Sequence, residues 1–413
     1  MTLRFGIVDG YSTGRFLVAQ LRDYGAECVH VSSQPDMPAY FSAAHDPSNY
    51  VEDLGHDPDP RRVADRLRDL GVATVLPGTE SGVLLADELT GLLGTPGHDP
   101  ATSEARRCKP LMATTLLEAG VRAPLGLRVD SPGQARQWCV DRGITDAVVK
   151  PVDSAGSDNV HFCRTPDEVA EAAEQVLSAR NLYGARNITA LVQERVFGPE
   201  FYANSVSLDG EHKIAELWRY TKRVGDGMSP VYDYEEPVPV GSAEYRQVVD
   251  HVRRALTALG IGNGAAHTEV ILTADGPVLI ETGARLGGAT LPWLVEKYCG
   301  VSQTRLLAMS LVDPAAFRSF DDTRVAWSEY VRNVSFINPV AGEVRSQAWR
   351  TELEALVSCS AVVSGVGVGH RLPVTTSLTS SPGFAYLASS DAADVYRDYG
   401  ALREREEQGL YLN

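Results

Sequence analysis

Positive charge is what this sequence has least of. Its 413 residues carry 38 Lys and Arg against 54 Asp and Glu, a formal net charge of −16. A surface of that sign repels polyanions, so nucleic acid and anionic membrane are excluded as general partners, while a local basic site for phosphates stays open. No apolar run approaches the roughly 18 residues of a membrane span. No secretory hydrophobic region follows the opening Met1-Thr-Leu-Arg-Phe5. Six cysteines (Cys28, Cys108, Cys139, Cys163, Cys299 and Cys359) are scattered with no C-x-x-C or C-x-x-C-H spacing, and are expected to be reduced thiols in a cytoplasmic protein. There is no internal repeat and no low-complexity tract. The remaining balance, 44% hydrophobic and 22% charged, is that of a globular chain with room for roughly two to four domains.

The pattern along the chain is α/β, or α+β taken as a whole. Leu3 to Asp9 is an apolar strand, followed by the turn Gly10 to Gly14 and a helical run through Phe16, Leu17 and Leu21. Cys28 to Val31 and Ala73 to Leu76 are further strands, with a helix near Arg61 to Leu70 between them. This alternation predicts a small parallel α/β domain over residues 1–105. A second part opens at Cys108 with an amphipathic helix stopped by Gly120, and it divides into segments 106–186 and 187–314. Past about residue 315 short strands dominate, closing on a charged helix from Val395 to Glu407; a small β-rich C-terminal domain over 315–413 is expected.

The richest stretch is His267 to Gly288, where two apolar runs each carry one acid and meet at Asp275-Gly276. Asp-Gly between β-rich runs signals a hairpin, because both residues tolerate positive φ. A loop of Ala274 to Gly276 would set Glu269 directly opposite Glu281. A two-residue loop would shift the register and turn the two acids to different faces. Opposed carboxylates about 5 Å apart repel unless a cation neutralises both, and an oxygen-seeking ion such as Mg²⁺ suits them. A solvated hairpin with two surface acids is the plain alternative. Val270, Ile271, Leu272, Val278, Leu279 and Ile280 argue against it, since strands so apolar are buried on both faces.

Other residues carry weaker signals. Lys150 ends an apolar strand just before Pro151 and the small, flexible segment Ser154 to Val160, so its ammonium would emerge beside whatever that loop covers, as a point charge for phosphate. Lys109 opens a helix and reads the same way, although most lysines are simply solvated. Arg285 precedes Leu286-Gly287-Gly288; an arginine fork beside glycine backbone amides suits an acyl phosphate or a tetrahedral oxyanion. A surface salt bridge is the plain reading. His267 shares a strand face with Glu269, lining a substrate pocket or buried and hydrogen-bonded. Gly10 to Gly14 lacks the full G-x-G-x-x-G, and its plain reading is a turn that packs.

Together these segments resemble the ATP-grasp superfamily over most of residues 1–310. Lys109 in Lys-Pro-Leu-Met-Ala, and Val-Val-Lys150-Pro with Ser154-Ala-Gly156-Ser157, resemble the nucleotide lysines and the phosphate-covering loop. Val192 to Glu200 is similar to the adenine hinge. The resemblance implies that Gln193, Glu194, Arg195 and Val196 contact adenine and that Glu200 binds the ribose. His267-Thr-Glu269 and Glu281-Thr-Gly-Ala-Arg285 resemble the magnesium and catalytic segment, usually Glu-x-Asn-x-Arg, with Gly283 in place of the asparagine. Within the superfamily, Thr79-Glu-Ser-Gly-Val83, Leu217-Trp-Arg-Tyr-Thr-Lys222, Val231-Tyr-Asp233 and the Arg285 to Gly288 run are similar to bacterial L-amino-acid ligases.

That likeness implies an ATP-grasp fold with a Rossmann-like N-terminal domain and a carboxylate-amine ligase acting through an acyl phosphate, often in peptide natural-product biosynthesis. The cofactors implied are ATP and Mg²⁺ or Mn²⁺, and the partners are a small-molecule carboxylate and an amine. Glu269 and Glu281 would hold the metal. Lys150 and Arg285 would serve catalysis, with His267, Arg285, Gly287 and Gly288 around the substrate. A biotin carboxylase-like or other ATP-grasp ligase, and a nucleotide-binding regulator without turnover, are the alternatives. Symmetric dimers being the commonest assembly, a homodimer is the default expectation.

Overall fold

The computed structural model describes residues 2–38, 42, 45–154, 158–181, 184–223 and 230–412. Gly156 and Ser157, expected in the phosphate-covering loop, lie outside the described residues.

The N-terminal strands form a four-stranded parallel sheet in the order Glu52–Asp53, Glu27–Val31, Arg4–Val8, Thr74–Pro77. Val8, Val29, Val31, Val63, Leu67, Val75 and Leu89 pack as a core between this sheet and its helices. The turn after the first strand is a close backbone crossing: a Cβ on Gly14 would lie 2.7 Å from the Gly78 Cα, and one on Gly10 would lie 2.1 Å from the Tyr50 hydroxyl. These glycines are needed for packing.

A second, antiparallel sheet of four strands runs Gly126–Val129, Ala190–Glu194, Ala147–Pro151, His161–Cys163. Helices Pro132–Arg142 and Pro166–Ser178 contribute Trp138, Cys139, Val169, Ala173 and Val176 to a core shared with Val149 and Val192. The opposite side of this sheet faces a cleft.

The largest unit is an eight-stranded antiparallel sheet, in the order Gly276–Gly283, Gly264–Thr273, Glu200–Leu208, Glu211–Arg223, Val231–Pro237, Tyr330–Ser335, Phe384–Ser389, Cys359–Val363. Its three C-terminal strands are hydrogen-bonded onto the central ones and have a core of their own around Phe336, Trp349, Leu353, Leu402 and Tyr411. Side chains alternate across a strand. Phe201, Ala203, Leu217, Ala266 and Val270 therefore point to one face, where helix Ala243–Ala258 packs with Val248, Val252 and Leu256. The residues between them, including Tyr202, Asn204, Trp218, Tyr220, His267 and Glu269, share the other face.

The hairpin that sequence reasoning centred on closes by a different route from the one expected. Its turn is the two residues Ala274 and Asp275; Gly276, at φ +107°, already belongs to the returning strand. Near the turn Val270 pairs with Leu279, the register of the shorter loop, but a bulge between Glu269 and Val270 shifts the ladder by one residue. Glu269 then stands opposite Glu281. A β-bulge adds a residue to one strand only and so restores the shared face.

Candidate functional site

Between the second sheet and the active face of the large one lies a cleft of ≈ 490 Å³. It collects Lys109, Lys150, Ser154, Gln193, Glu194, Arg195, Val196, Glu200, Glu269 and Glu281, residues that sequence reasoning drew from five separate segments. Opposed positions in the hairpin turn Glu269 and Glu281 to one face. Lysine ammonium groups surround the pair. Lys109 Nζ lies 3.3 Å from Glu281 Oε2 and donates to the Ser154 carbonyl oxygen at 2.8 Å. Lys150 is 7% exposed; its burial lowers its pKa, and the Glu281 carboxylate opposes that shift. The charge pattern is that of a site for phosphate oxygens with hard oxygen donors at one end.

Glu200, expected at the ribose, accepts Lys222 Nζ at 2.6 Å. Burial raises the Glu200 pKa, against the attraction of Lys222. Lys222 also lies 4.7 and 4.6 Å from the ring centroids of Tyr220 and Tyr232. Burial disfavours its charge, but Glu200 and Tyr232 more than offset this and raise its pKa. At the other wall Arg195 stacks its guanidinium on Phe162 at 4.1 Å and Phe197 at 4.9 Å. The Glu194 side chain is tied to the Leu125 amide at 2.8 Å, which holds that strand end open toward the cleft.

Arg285, His267 and the glycines lie beyond the acid pair. His267 is partly buried and shares a hydrogen bond of 2.8 Å between Nδ1 and Asn204 Oδ1, while its Nε2 lies 3.8 Å from Glu269 Oε1. Burial lowers its pKa, partly countered by Glu269. The expectation that Gly287 offers its amide to an anion is corrected here: the Gly287 N–H donates to Gln303 Oε1 at 2.8 Å, and a Cβ there would lie 2.6 Å from Asn204 Oδ1. Only Gly288 of the two stays exposed. Arg285 Nε donates to Glu80 Oε2 at 2.8 Å, and Arg107 donates to the same carboxylate at 2.8 Å. Burial would raise the Glu80 pKa, but Arg285 and Arg107 outweigh it and hold it down to about 2.

Glu80 and Lys222 contact the expected site residues Arg285 and Glu200 but had been given no role of their own. Lys222 had a local signal, an ammonium two residues after Tyr220 and so on the same face of the strand. Glu80 stands in the resembling segment Thr79 to Val83, but nothing there points to Arg285, 205 positions away in sequence.

Comparison with known proteins adds the decisive observation. The family described as "ATP-grasp domain" matches residues 144–292. Dapdiamide A synthase from Enterobacter agglomerans is 30% identical over 414 residues, covering 98% of this chain and 96% of that protein. The chain belongs to the ATP-grasp ligases. Its fold is also that of L-amino acid ligase from Bacillus licheniformis, with a TM-score of 0.76 at 19% identity over 98% of this chain and 97% of that one. N5-carboxyaminoimidazole synthase from Aspergillus clavatus superposes with a TM-score of 0.72 at 14% identity, covering 98% and 99% of the two chains. The matched segment of this ATP-grasp ligase holds Lys150, Gln193 to Glu200, Glu269, Glu281 and Arg285, whereas Lys109, which lines the cleft, and Glu80, which holds Arg285, come from outside it. No helix among the described residues is long and apolar enough to cross a membrane.

Proposed function

We propose that this ATP-grasp ligase joins a carboxylate to an amine, with an amino acid as at least one substrate. The reading rests on one arrangement: an opposed acid pair flanked by two lysines in a cleft, with Arg285 just beyond it. Similarity to dapdiamide A synthase along nearly the whole chain supports it.

A carboxylate is a poor electrophile at neutral pH, so it must be activated first. One of its oxygens attacks the γ-phosphorus of ATP, the bond to the β–γ bridging oxygen breaks, and ADP leaves an acyl phosphate. The amine lone pair then attacks the acyl carbon, the C–O bond to phosphate breaks, and the amine loses a proton as the amide forms. Lys109 and Lys150 would offset charge on the transferring phosphoryl group. The Arg195 wall and the Gln193 to Val196 strand end would seat adenine, with Glu200 near the ribose. Glu269 and Glu281 fit Mg²⁺ or Mn²⁺, being opposed carboxylates in a half-buried site beside lysines and His267; the ion would supply charge neutralisation at phosphate oxygens. Arg285 would hold the acyl phosphate and the tetrahedral oxyanion, positioned by Glu80. Exclusion of water would favour amide formation over hydrolysis.

The test is a screen of amino-acid pairs for ATP-dependent phosphate release, with products identified by mass. Glu281→Ala should abolish ADP formation, and Arg285→Ala should reduce amide formation most. Wild-type ADP release from Glu281→Ala would sink the metal assignment. Bicarbonate-stimulated ADP release without amino-acid stimulation would move the enzyme to the carboxylases, and tight ATP binding with no ADP under any mixture would make it a regulator.

A further inference from the structure

The active face carries further acids that the scheme above leaves unused: Glu216, whose oxygens accept from Asn204, Trp218 and the Gln303 amide, and Glu235. Glu235 stands opposite Tyr220 on one neighbouring strand and Asn333 on the other, three strands along the sheet from Glu269. Its Oε2 accepts the Tyr202 hydroxyl at 2.7 Å and Asn333 Nδ2 at 3.3 Å. Tyr202 connects this corner to the acid pair: it is paired with Glu269 in the ladder, and its ring lies 5.0 Å from that of His267. On the other side Asn333 Nδ2 lies 3.5 Å from the carbonyl oxygen of Ala289, in the loop that follows Arg285. Ala289 holds a φ of +52°, unusual for a residue with a Cβ.

Two acceptors are left over. Among the described residues nothing donates to Glu235 Oε1. Asn333 is 4% exposed, and its Oδ1 is buried without a hydrogen-bond partner. The amide cannot relieve this by turning over, since that would set its oxygen against the Glu235 carboxylate. Buried acceptors are normally satisfied, and an orphan beside an acid marks a place where a donor belongs. A primary ammonium offers what such a pair takes, several N–H donors and a positive charge beside the carboxylate.

We propose that Glu235 and Asn333 form a recognition site for the ammonium group of an amino-acid substrate, at the end of the active face away from the phosphate-handling lysines. This rests on the ligase reading above. The ammonium donates to Glu235 Oε1 and Asn333 Oδ1, while Tyr202 and the Asn333 Nδ2 hold the carboxylate in place. Burial raises the Glu235 pKa to about 7, against the hydrogen bonds from Tyr202 and Asn333, so ionising this acid carries a penalty near neutral pH. A bound ammonium would remove that penalty, giving selectivity for a charged amine over a neutral isostere.

The experiment measures phosphate release with ATP and pairs of the twenty protein amino acids, as in the screen above. For every amino acid turned over, its des-amino acid and N-acetyl derivative are run alongside. Glu235→Gln keeps the shape and an acceptor for Tyr202 but removes the charge, and Asn333→Leu removes the orphan oxygen. Expected is a rise of at least about tenfold in KM for the amino acid in both variants. The KM for ATP should stay at its wild-type value, which also reports an intact fold. The wild-type preference for the amino acid over its des-amino form should narrow in Glu235→Gln. An unchanged amino-acid KM in both variants, with wild-type turnover present, overturns the ammonium site alone. Absence of amino-acid-dependent turnover in the wild type overturns the ligase reading instead.

Discussion

A Cβ placed on Gly283 would lie 2.4 Å from Glu80 Oε2. The family pattern resembled by the sequence has asparagine at that position, and here a carboxylate from the N-terminal part of the chain fills the space instead. That carboxylate accepts both Arg285 and Arg107, so the glycine and the arginine orientation go together. Gly283→Ala should displace Glu80 and cost about 1–3 kcal/mol of stability through overpacking, with a matching loss of amide formation. In a Glu80→Ala background the same substitution should cost much less, because the clash is gone. A double-mutant cycle in urea denaturation and turnover checks this; additive effects would show that Gly283 and Glu80 are independent.

The two cleft lysines should fail differently. Lys150 is the more deeply buried and feels both Glu281 and Glu269, whereas Lys109 is anchored to Ser154. Lys150→Met is expected to lower kcat by roughly 10²–10³, the usual loss when one preorganised charge facing a transition state is removed. Lys109→Met should raise the KM for ATP with a smaller change in kcat. Steady-state kinetics at saturating and limiting ATP separate the two, and equal effects on both parameters in both variants would contradict the division.

Stability should fall as pH rises across the range in which Glu235 titrates. Burial places its pKa at about 7, against the Tyr202 and Asn333 hydrogen bonds and Lys222, while in the unfolded chain it titrates near the ordinary value of about 4.3. Between those values the folded state binds more protons than the unfolded one, so the contribution is intact below about pH 4.3 and declines toward pH 7. The slope approaches at most about 1.4 kcal/mol per pH unit. Glu235→Gln should flatten that part of a urea-midpoint-against-pH curve. A variant with the wild-type slope would assign the titration elsewhere.

At the far end of the sheet, Arg403 of helix Ala392–Glu407 donates to Asp233 at 2.7 Å, to the Ser335 carbonyl oxygen at 2.8 Å, and to Glu406. Arg403, Asp233 and Glu406 are all buried. Arg403→Met would leave the buried Glu406 without its cation and Asp233 with Arg223 alone, and a destabilisation of about 3–5 kcal/mol is expected in urea unfolding. A loss below about 1 kcal/mol would mean that water reaches the acids.

Local chemistry made the acid hairpin, the strand ending at Lys150 and the helix opened by Lys109 legible, because each combined an apolar period with one polar exception. The opposed glutamates were legible as well, though through an assumed loop length that the bulge at Glu269 made unnecessary. Contacts built from distant segments were not legible. Nothing near Glu80 in sequence announces Arg285, and the period of the strand holding Glu235 does not say which face meets Asn333. The fate of the Gly287 amide depended on Gln303, a buried residue that opens helix Gln303–Val312. Such pairings are fixed by how sheets and helices assemble, which a one-dimensional pattern does not encode.

Because the strands after Tyr330 continue the sheet that carries Glu269 and Glu281, the tail of this chain is no detachable accessory. A cut ahead of Tyr330 would strip the partner from strand Val231–Pro237 and leave its backbone donors and acceptors bare along a new sheet edge, a template for aggregation. A minimal catalytic fragment therefore has no boundary in that region, and sequence drift in the last 84 residues is constrained by the same ladder that aligns the active face.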